Sequence, residues 1–254
     1  MSISALIAEG LAELYQQGHL SGARSILEFG PQNIGVHEDH RYYIKVARRV
    51  GGVDAAKRFE NAAYNGDNFD VNAHKEFYKI FGLEDYASVD LLDASATYNH
   101  NLNEPFILDQ TYDVVTDFGT AEHIFNIGQN FVNAHNALKV GGLWLAQLPT
   151  LGGYYHGFYN IHNIWYRSIA AANGYEIVQL LYSADNTSSA INCEREGRLA
   201  KVQDIRISEP RRMMLSFYLA DFWSTLTRGD RASAVILAAL RKTRDKPFIW
   251  PQQI

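Results

Sequence analysis

Three carboxylates, two histidines and one glycine turn hold most of the chemistry this sequence offers. The run Ser25-Ile26-Leu27-Glu28-Phe29-Gly30-Pro31-Gln32-Asn33-Ile34-Gly35 reads as a short apolar strand, an acidic residue near its end, then a glycine turn. Glycine lets the backbone turn sharply and approach a ligand, and the acidic side chain accepts hydrogen bonds from it. Two later apolar runs end at Asp93 and Asp117, so three predicted strand ends carry carboxylates. In an open parallel sheet ligands bind beyond the carboxyl ends of the strands. A carboxylate at the second of those ends suits the two hydroxyls of a ribose. An Asp there also caps the helix that follows, so each carboxylate alone has a structural reading. His123 and His156 add imidazoles, which titrate near neutral pH and can serve as a general base. Their structural counterparts are a packed helix-start histidine and a loop histidine bonded to backbone.

Other chemistries find less support. Only Gly30 and Gly35 are present where the dinucleotide fingerprint needs G-x-G-x-x-G, and no nearby Lys or Arg aims at a phosphate. His37-Glu38-Asp39-His40 could bring two imidazoles together over one helical turn. The segment opens a helix, however, where acidic residues favour the dipole, and no second ligand cluster is apparent, so no metal is expected. Ser21, Ser25 and Ser95 lack a G-x-S-x-G elbow. Cys193 has no His nearby, and as the single cysteine it cannot form an internal disulfide, which fits a reducing cytoplasm.

The elements that must position these residues alternate between strand and helix. Apolar residues at helical spacing in 3–17 (Leu6, Ile7, Leu11, Leu14, Tyr15) predict an N-terminal helix that packs on the core or lids the pocket. Strands are predicted at 25–29, 87–92, 112–116, 143–148, 175–183 and 234–240, with a short extended piece at 96–100. Helices are predicted at 38–50, 54–63, 71–81, 122–138 and 160–173, most of them closed by glycine, and Pro149 stops the strand before it. Residues 184–210 are polar and without period, and 211–226 read as a helix. This alternation argues for a mostly parallel sheet covered on both faces.

At 254 residues the chain can build one large α/β domain with a substantial core. A hydrophobic content of 47% and a charged content of 20% are those of a globular protein. The formal net charge of -5 argues against general nucleic-acid binding, because no basic stripe offsets phosphate repulsion. No apolar run approaches the roughly 20 residues of a membrane span, and no basic n-region precedes an apolar core. A cytoplasmic protein that meets neither nucleic acid nor membrane is expected.

Taken in order, the motifs resemble those of class I S-adenosylmethionine-dependent methyltransferases. They are Leu27-Glu28-Phe29-Gly30, Leu92-Asp93-Ala94-Ser95, His100-Asn101-Leu102-Asn103, Tyr112-Asp113-Val114-Val115, Phe118-Gly119-Thr120-Ala121-Glu122-His123-Ile124, Leu138-Lys139-Val140-Gly141-Gly142 and His156-Gly157-Phe158-Tyr159. The resemblance implies a Rossmann-like α/β fold: a seven-stranded, mostly parallel sheet flanked by helices, with an antiparallel last strand. Residues 1–24 would then be a helix packing on or lidding the core, and 25–254 a single domain with 184–230 as an insertion or cap.

The resemblance also implies roles. Glu28 would meet the amino group of S-adenosylmethionine, and the backbone of Phe29, Gly30 and Pro31 would line its methionine part. Asp93, with Ala94 beside it, would hold the ribose, and Asn101 and Leu102 would meet the adenine. Asp117, Phe118 and Gly119 would edge the cofactor. Glu122 and His123 would lie near the reacting face, with His123 and His156 as candidate catalytic bases. The aromatic belt Tyr154, Tyr155, Phe158, Tyr159, Trp165 and Tyr166 would wall an apolar or sugar-like acceptor, or pack the core beneath a long loop. The implied reaction is methyl transfer to a small-molecule or saccharide acceptor, on oxygen.

Two motifs depart from the family pattern. Gln32 and Ile34 stand where further glycines are usual, and Asn101 stands where Asp is common; an amide still accepts from an adenine amino group. Gln32 and Ile34 favour the alternative of a catalytically inactive, methyltransferase-like binding or scaffold protein. A nicotinamide-dependent oxidoreductase ranks last, lacking both the glycine fingerprint and a Tyr-x-x-x-Lys pair after a helix.

Overall fold

The computed structural model describes residues 2–34, 40–64, 69–152, 156–183, 200–201, 219 and 233–252. The predicted helix at 211–226 lies outside them except for residue 219, and the segment 184–230 except for 200–201 and 219. Cys193, His37, Tyr154 and Tyr155 are also outside them.

The chain begins with a two-residue strand, β1 (Ser2–Ile3), and then α1 (Ala5–Gln16). Ser4 caps α1, its hydroxyl accepting from the Ile7 N–H at 3.3 Å. Leu6, Ile7, Leu11 and Leu14 are buried as their spacing predicts, whereas Tyr15 lies at the rim, 38% exposed. The first core strand is β2 (Ser25–Phe29), followed by β3 (Asn33–Ile34), which pairs in parallel with β1. The N-terminal segment is thereby stitched to the loop that follows β2.

Next comes α2 (His40–Ala63), two helical stretches joined across a kink at Gly52, whose φ of 78° only glycine takes readily. After α3 (Ala73–Lys79) follow β4 (Asp85–Asp90), β5 (Tyr98–Asn99) and β6 (Tyr112–Phe118). A short 3-10 turn (Ala121–His123) leads to α4 (Ile127–Ala137), β7 (Leu138–Gly152), α5 (Asn163–Asn173) and β8 (Tyr175–Ser183). The last strands are β9 (Ala200–Lys201) and β10 (Ser233–Lys242).

The main sheet has the order β5-β4-β2-β6-β7-β10-β8-β9. The five strands from β5 to β7 are mutually parallel, and β10 runs antiparallel to both neighbours. Seven strands are those the resemblance implies; the eighth, β9, is a two-residue antiparallel addition at the edge. Side chains alternate with period two into two cores. Ile26, Val114, Leu143 and Leu237 enter the cluster beneath α1, α2 and α3, while Leu27, Val115, Trp144 and Ile236 enter the one beneath α4 and α5.

Several predicted boundaries move, three of them for a clear physical reason. The second core strand stops at Asp90, because Leu91 and Leu92, which lengthen the apolar run, are 49% and 87% exposed. The helix predicted from 122 starts at Ile127, since the backbone first makes the tight turn. Pro149 does not end β7 but sits inside it opposite Val235, where the register shifts between Ala234 and Val235; such a bulge tolerates the missing N–H. Among the described residues, no helix is long and apolar enough to cross a membrane.

Candidate functional site

From β2 the chain winds outward to β4 and β5, then returns to place β6 on the other side of β2. The carboxyl ends of β2 and β6 therefore flank the point where strand order reverses, which is where open α/β sheets bind ligands.

At that point the Gly30 N–H donates to the Val89 oxygen at 2.9 Å, and a φ of 73° turns the chain away. Gln32 closes the loop. Its N–H donates to Glu28 Oε2 at 3.0 Å, and its Nε2 donates to the Gly30 oxygen at 2.8 Å. The other end of that amide, Gln32 Oε1, is buried with no donor among the described residues. Ile34 turns into the core beside Ile3 rather than into the crevice. The bulk at both departing positions is thus absorbed inside the protein.

Glu28 is wholly buried behind this loop. Its Oε2 also accepts from the Tyr86 hydroxyl at 2.6 Å, and its Oε1 accepts from the Tyr78 hydroxyl. Burial pushes the carboxyl up to about 6, although all three donors pull it down. The carboxylate braces the loop from behind. Sequence reasoning missed Tyr78 and Tyr86, which come from α3 and β4 and carry no motif; only the sheet order brings them to β2.

On the side of β4, the strand-end carboxylate is Asp90, not Asp93. Asp90 Oδ1 accepts the N–H groups of Leu92 and Asp93 at 2.7 and 2.9 Å, and its second oxygen has no hydrogen bond among the described residues. Asp93 lies further out in an exposed turn with Ala94. It accepts the Ser95 N–H and hydroxyl at 2.8 and 2.6 Å, and these bonds hold its carboxyl below the usual range. Beyond β5, the Asn101 side-chain oxygen accepts from the Asn103 N–H at 3.1 Å and from its Nδ2 at 2.8 Å. Leu102 is buried, and Asn133 of α4 donates to the oxygens of Leu102 and Glu104 at 3.3 and 2.9 Å. These bonds fix a turn beside the end of β4.

On the side of β6, Gly119 turns the chain with a φ of 91°, and the Thr120 hydroxyl donates to the Phe29 oxygen at 2.7 Å. Phe118 points into the core beneath α1. Asp117 is fully buried; its Oδ1 accepts from the N–H groups of Thr120 and Ala121 at 3.1 and 3.0 Å, and its Oδ2 from Asn130 Nδ2 at 2.8 Å. It holds the turn rather than edging the crevice. Burial raises its carboxyl to about 6.

That turn delivers Glu122 and His123. Glu122 is 2% exposed, and its Oε2 has no hydrogen-bond partner among the described residues. Burial first, and the Asp117 charge second, push its carboxyl up to about 8. The loop after β7 is docked on the same turn: the Phe158 N–H donates to the Glu122 oxygen at 2.7 Å. A Cβ at Gly157 would stand 2.8 Å from that oxygen and 3.0 Å from Glu122 Cγ, so the close approach requires glycine. His156 Nε2 then lies 3.6 Å from Glu122 Oε1, and the rings of His123 and His156 are 4.9 Å apart. Burial and the neighbouring His156 lower the pKa of His123. Phe125 and Phe158 meet edge to face at 5.5 Å beside this group, 71% and 62% exposed. The aromatic belt divides here. Phe158 is at the surface and Tyr159 bonds the Phe125 oxygen, while Trp165 packs on Phe131 and Tyr166 is buried.

The sheet order with its antiparallel final strand is that of the class I methyltransferase-like, Rossmann-type fold. Among solved structures, the chain is similar to a candidate methyltransferase from Bacillus halodurans C-125, with 14% identity, 93% of this chain and 100% of that chain covered, and a TM-score of 0.48. It is similar to a candidate sarcosine dimethylglycine methyltransferase from Galdieria sulphuraria, with 16% identity, 93% and 85% covered, and a TM-score of 0.48. It is also similar to an O-methyltransferase of a Brevibacillus brevis trans-AT PKS multienzyme in complex with S-adenosyl-L-homocysteine, with 14% identity, 98% and 82% covered, and a TM-score of 0.39. No family model matches the sequence, and no curated protein matches it. The strand order, not these overlaps, carries the fold class.

Proposed function

We propose that the chain is an S-adenosylmethionine-dependent methyltransferase acting in the cytoplasm on a small-molecule or saccharide hydroxyl. One observation carries the reading: at the reversal of strand order an unpaired carboxylate oxygen lies on one flank of a glycine turn and a carboxylate–imidazole group on the other. The unpaired acceptor is the second oxygen of Asp90, and a ligand bearing vicinal hydroxyls would satisfy it. The residues therefore fit the cofactor.

The backbone of Phe29, Gly30 and Pro31 would line the methionine part, with Gln32 and Glu28 holding that turn from behind. Asp90 would take the ribose in place of Asp93, and the turn at Asn101 and Leu102 the adenine. Bound there, S-adenosylmethionine supplies a methyl group already activated on sulfur. The protein's part is to align the acceptor and exclude water, which can lower a barrier by several kcal/mol. Glu122, His123 and His156 face the acceptor, and Phe125 with Phe158 offers it an aromatic rim.

The test is S-adenosylhomocysteine release in the presence of a panel of phenols, sugars and aliphatic alcohols. Release that depends on one acceptor class supports the reading, and release with amines alone would move the acceptor atom to nitrogen. The fully engaged carboxylate of Glu28 is the observation that favours a non-catalytic binding protein instead. That reading predicts cofactor binding with no release under any acceptor.

A further inference from the structure

We propose that Glu122, His123 and His156 bind one divalent first-row cation of the zinc or manganese kind on the acceptor side of the crevice. Each residue offers one ligand atom, and the three atoms lie within 4.8 Å of one another. Two imidazole nitrogens and a carboxylate oxygen are a donor set that such cations take while keeping open positions. Ligand atoms at about 2.0–2.2 Å from one metal stand roughly 3–3.5 Å apart, so the 3.6 Å between His156 Nε2 and Glu122 Oε1 is already close to a bound spacing. The remaining closure falls to two exposed imidazoles, which are free to swing.

A second observation points the same way. Glu122 is 2% exposed, yet Oε2 has no donor among the described residues. A buried carboxylate is costly unless it is paired or bound to a metal. The bond from the Phe158 N–H to the Glu122 oxygen and the wedge of Gly157 hold His156 against it. Glu122 and His123 are neighbours in sequence but His156 is far from both, which is why the sequence alone gives no metal site. An acceptor oxygen could occupy an open position on the bound cation; that link alone rests on the proposed methyl transfer.

The test is calorimetric titration of the chelator-treated full chain with Zn²⁺ and with Mn²⁺, without cofactor or acceptor. The expected result is one site with a Kd on the order of micromolar or tighter. His123→Ala, His156→Ala and Glu122→Gln should each weaken it at least tenfold, and a His37→Ala/His40→Ala double variant should leave it unchanged. His123 and His156 are exposed, so their variants decide the matter even if Glu122→Gln misfolds. Absence of binding, or wild-type affinity in both histidine variants, overturns the proposal. S-adenosylmethionine titrated separately tells the two readings apart: its failure to bind would remove the methyltransferase and leave the cation site standing.

Discussion

The Phe158 N–H donates to the Glu122 oxygen at 2.7 Å, and this bond fastens a loop from beyond β7 to the turn that leaves β6. Gly157 makes the approach sterically possible, with only 2.8 Å between its would-be Cβ and that oxygen. Gly157→Ala should therefore force the loop off Glu122. Overpacking of this kind costs about 1–3 kcal/mol. A lowered urea midpoint, together with acceptor turnover reduced far more than cofactor affinity, is the expected pattern. An unchanged midpoint and turnover would mean that the loop gives way without consequence.

Asp90 should matter more than Asp93 for cofactor binding. A hydrogen bond to a charged acceptor is worth about 1.5–3 kcal/mol, and about 1.4 kcal/mol is tenfold in affinity. Asp90→Asn keeps an oxygen for the Leu92 and Asp93 N–H groups, so the turn survives while the charge is lost. Its Kd for S-adenosylmethionine should rise at least about tenfold, whereas Asp93→Ala should change it little. The reverse order would return the ribose to Asp93.

The buried Glu28 makes part of the stability depend on pH. Its carboxyl is raised from 4.5 to about 6 in the folded protein, chiefly by burial. A raised folded pKa means the folded state holds the proton more tightly than the unfolded one. The contribution is complete below pH 4.5 and is lost as pH rises through about 6. At 1.36 kcal/mol per pH unit the loss is about 2 kcal/mol. The stability difference between wild type and Glu28→Gln, followed by denaturant unfolding, should fall by about that much from pH 4.5 to 7. A difference constant over that range would place the raised carboxyl elsewhere; Asp117, raised to about 6 by burial, would be the first residue to test.

Phe125 and Phe158 form an exposed aromatic pair with no core role. Replacing both by Ala should leave stability within about 0.5 kcal/mol, as for other surface changes, and should leave cofactor affinity unchanged. The KM for the acceptor should rise several-fold. A constant KM would remove the pair from the acceptor surface.

Much of the fold was readable because its strands are buried on both faces and bounded by turn residues. Residues 25–29 and 175–183 coincide with β2 and β8. The antiparallel pairing of β10 came from the resemblance and not from any periodicity. Boundaries failed where local signals competed with tertiary context: exposed Leu91 and Leu92 mimicked strand, and a bulge accommodated Pro149. The site was legible as strand ends with carboxylates but not as a set of contacts. That Glu28 is held by Tyr78 and Tyr86, that Asp117 serves the backbone of its own turn, and that His156 returns to Glu122 are consequences of sheet order. No local spacing encodes them.

Cofactor identity is the central claim, and calorimetric titration of the purified chain with S-adenosylmethionine, S-adenosylhomocysteine and a nicotinamide dinucleotide tests it most directly. Saturable one-to-one binding of the first two, weakened by Asp90→Asn, with no heat from the third, is the predicted result. Binding of the dinucleotide, or no binding of either adenosyl compound by folded protein, would contradict the account.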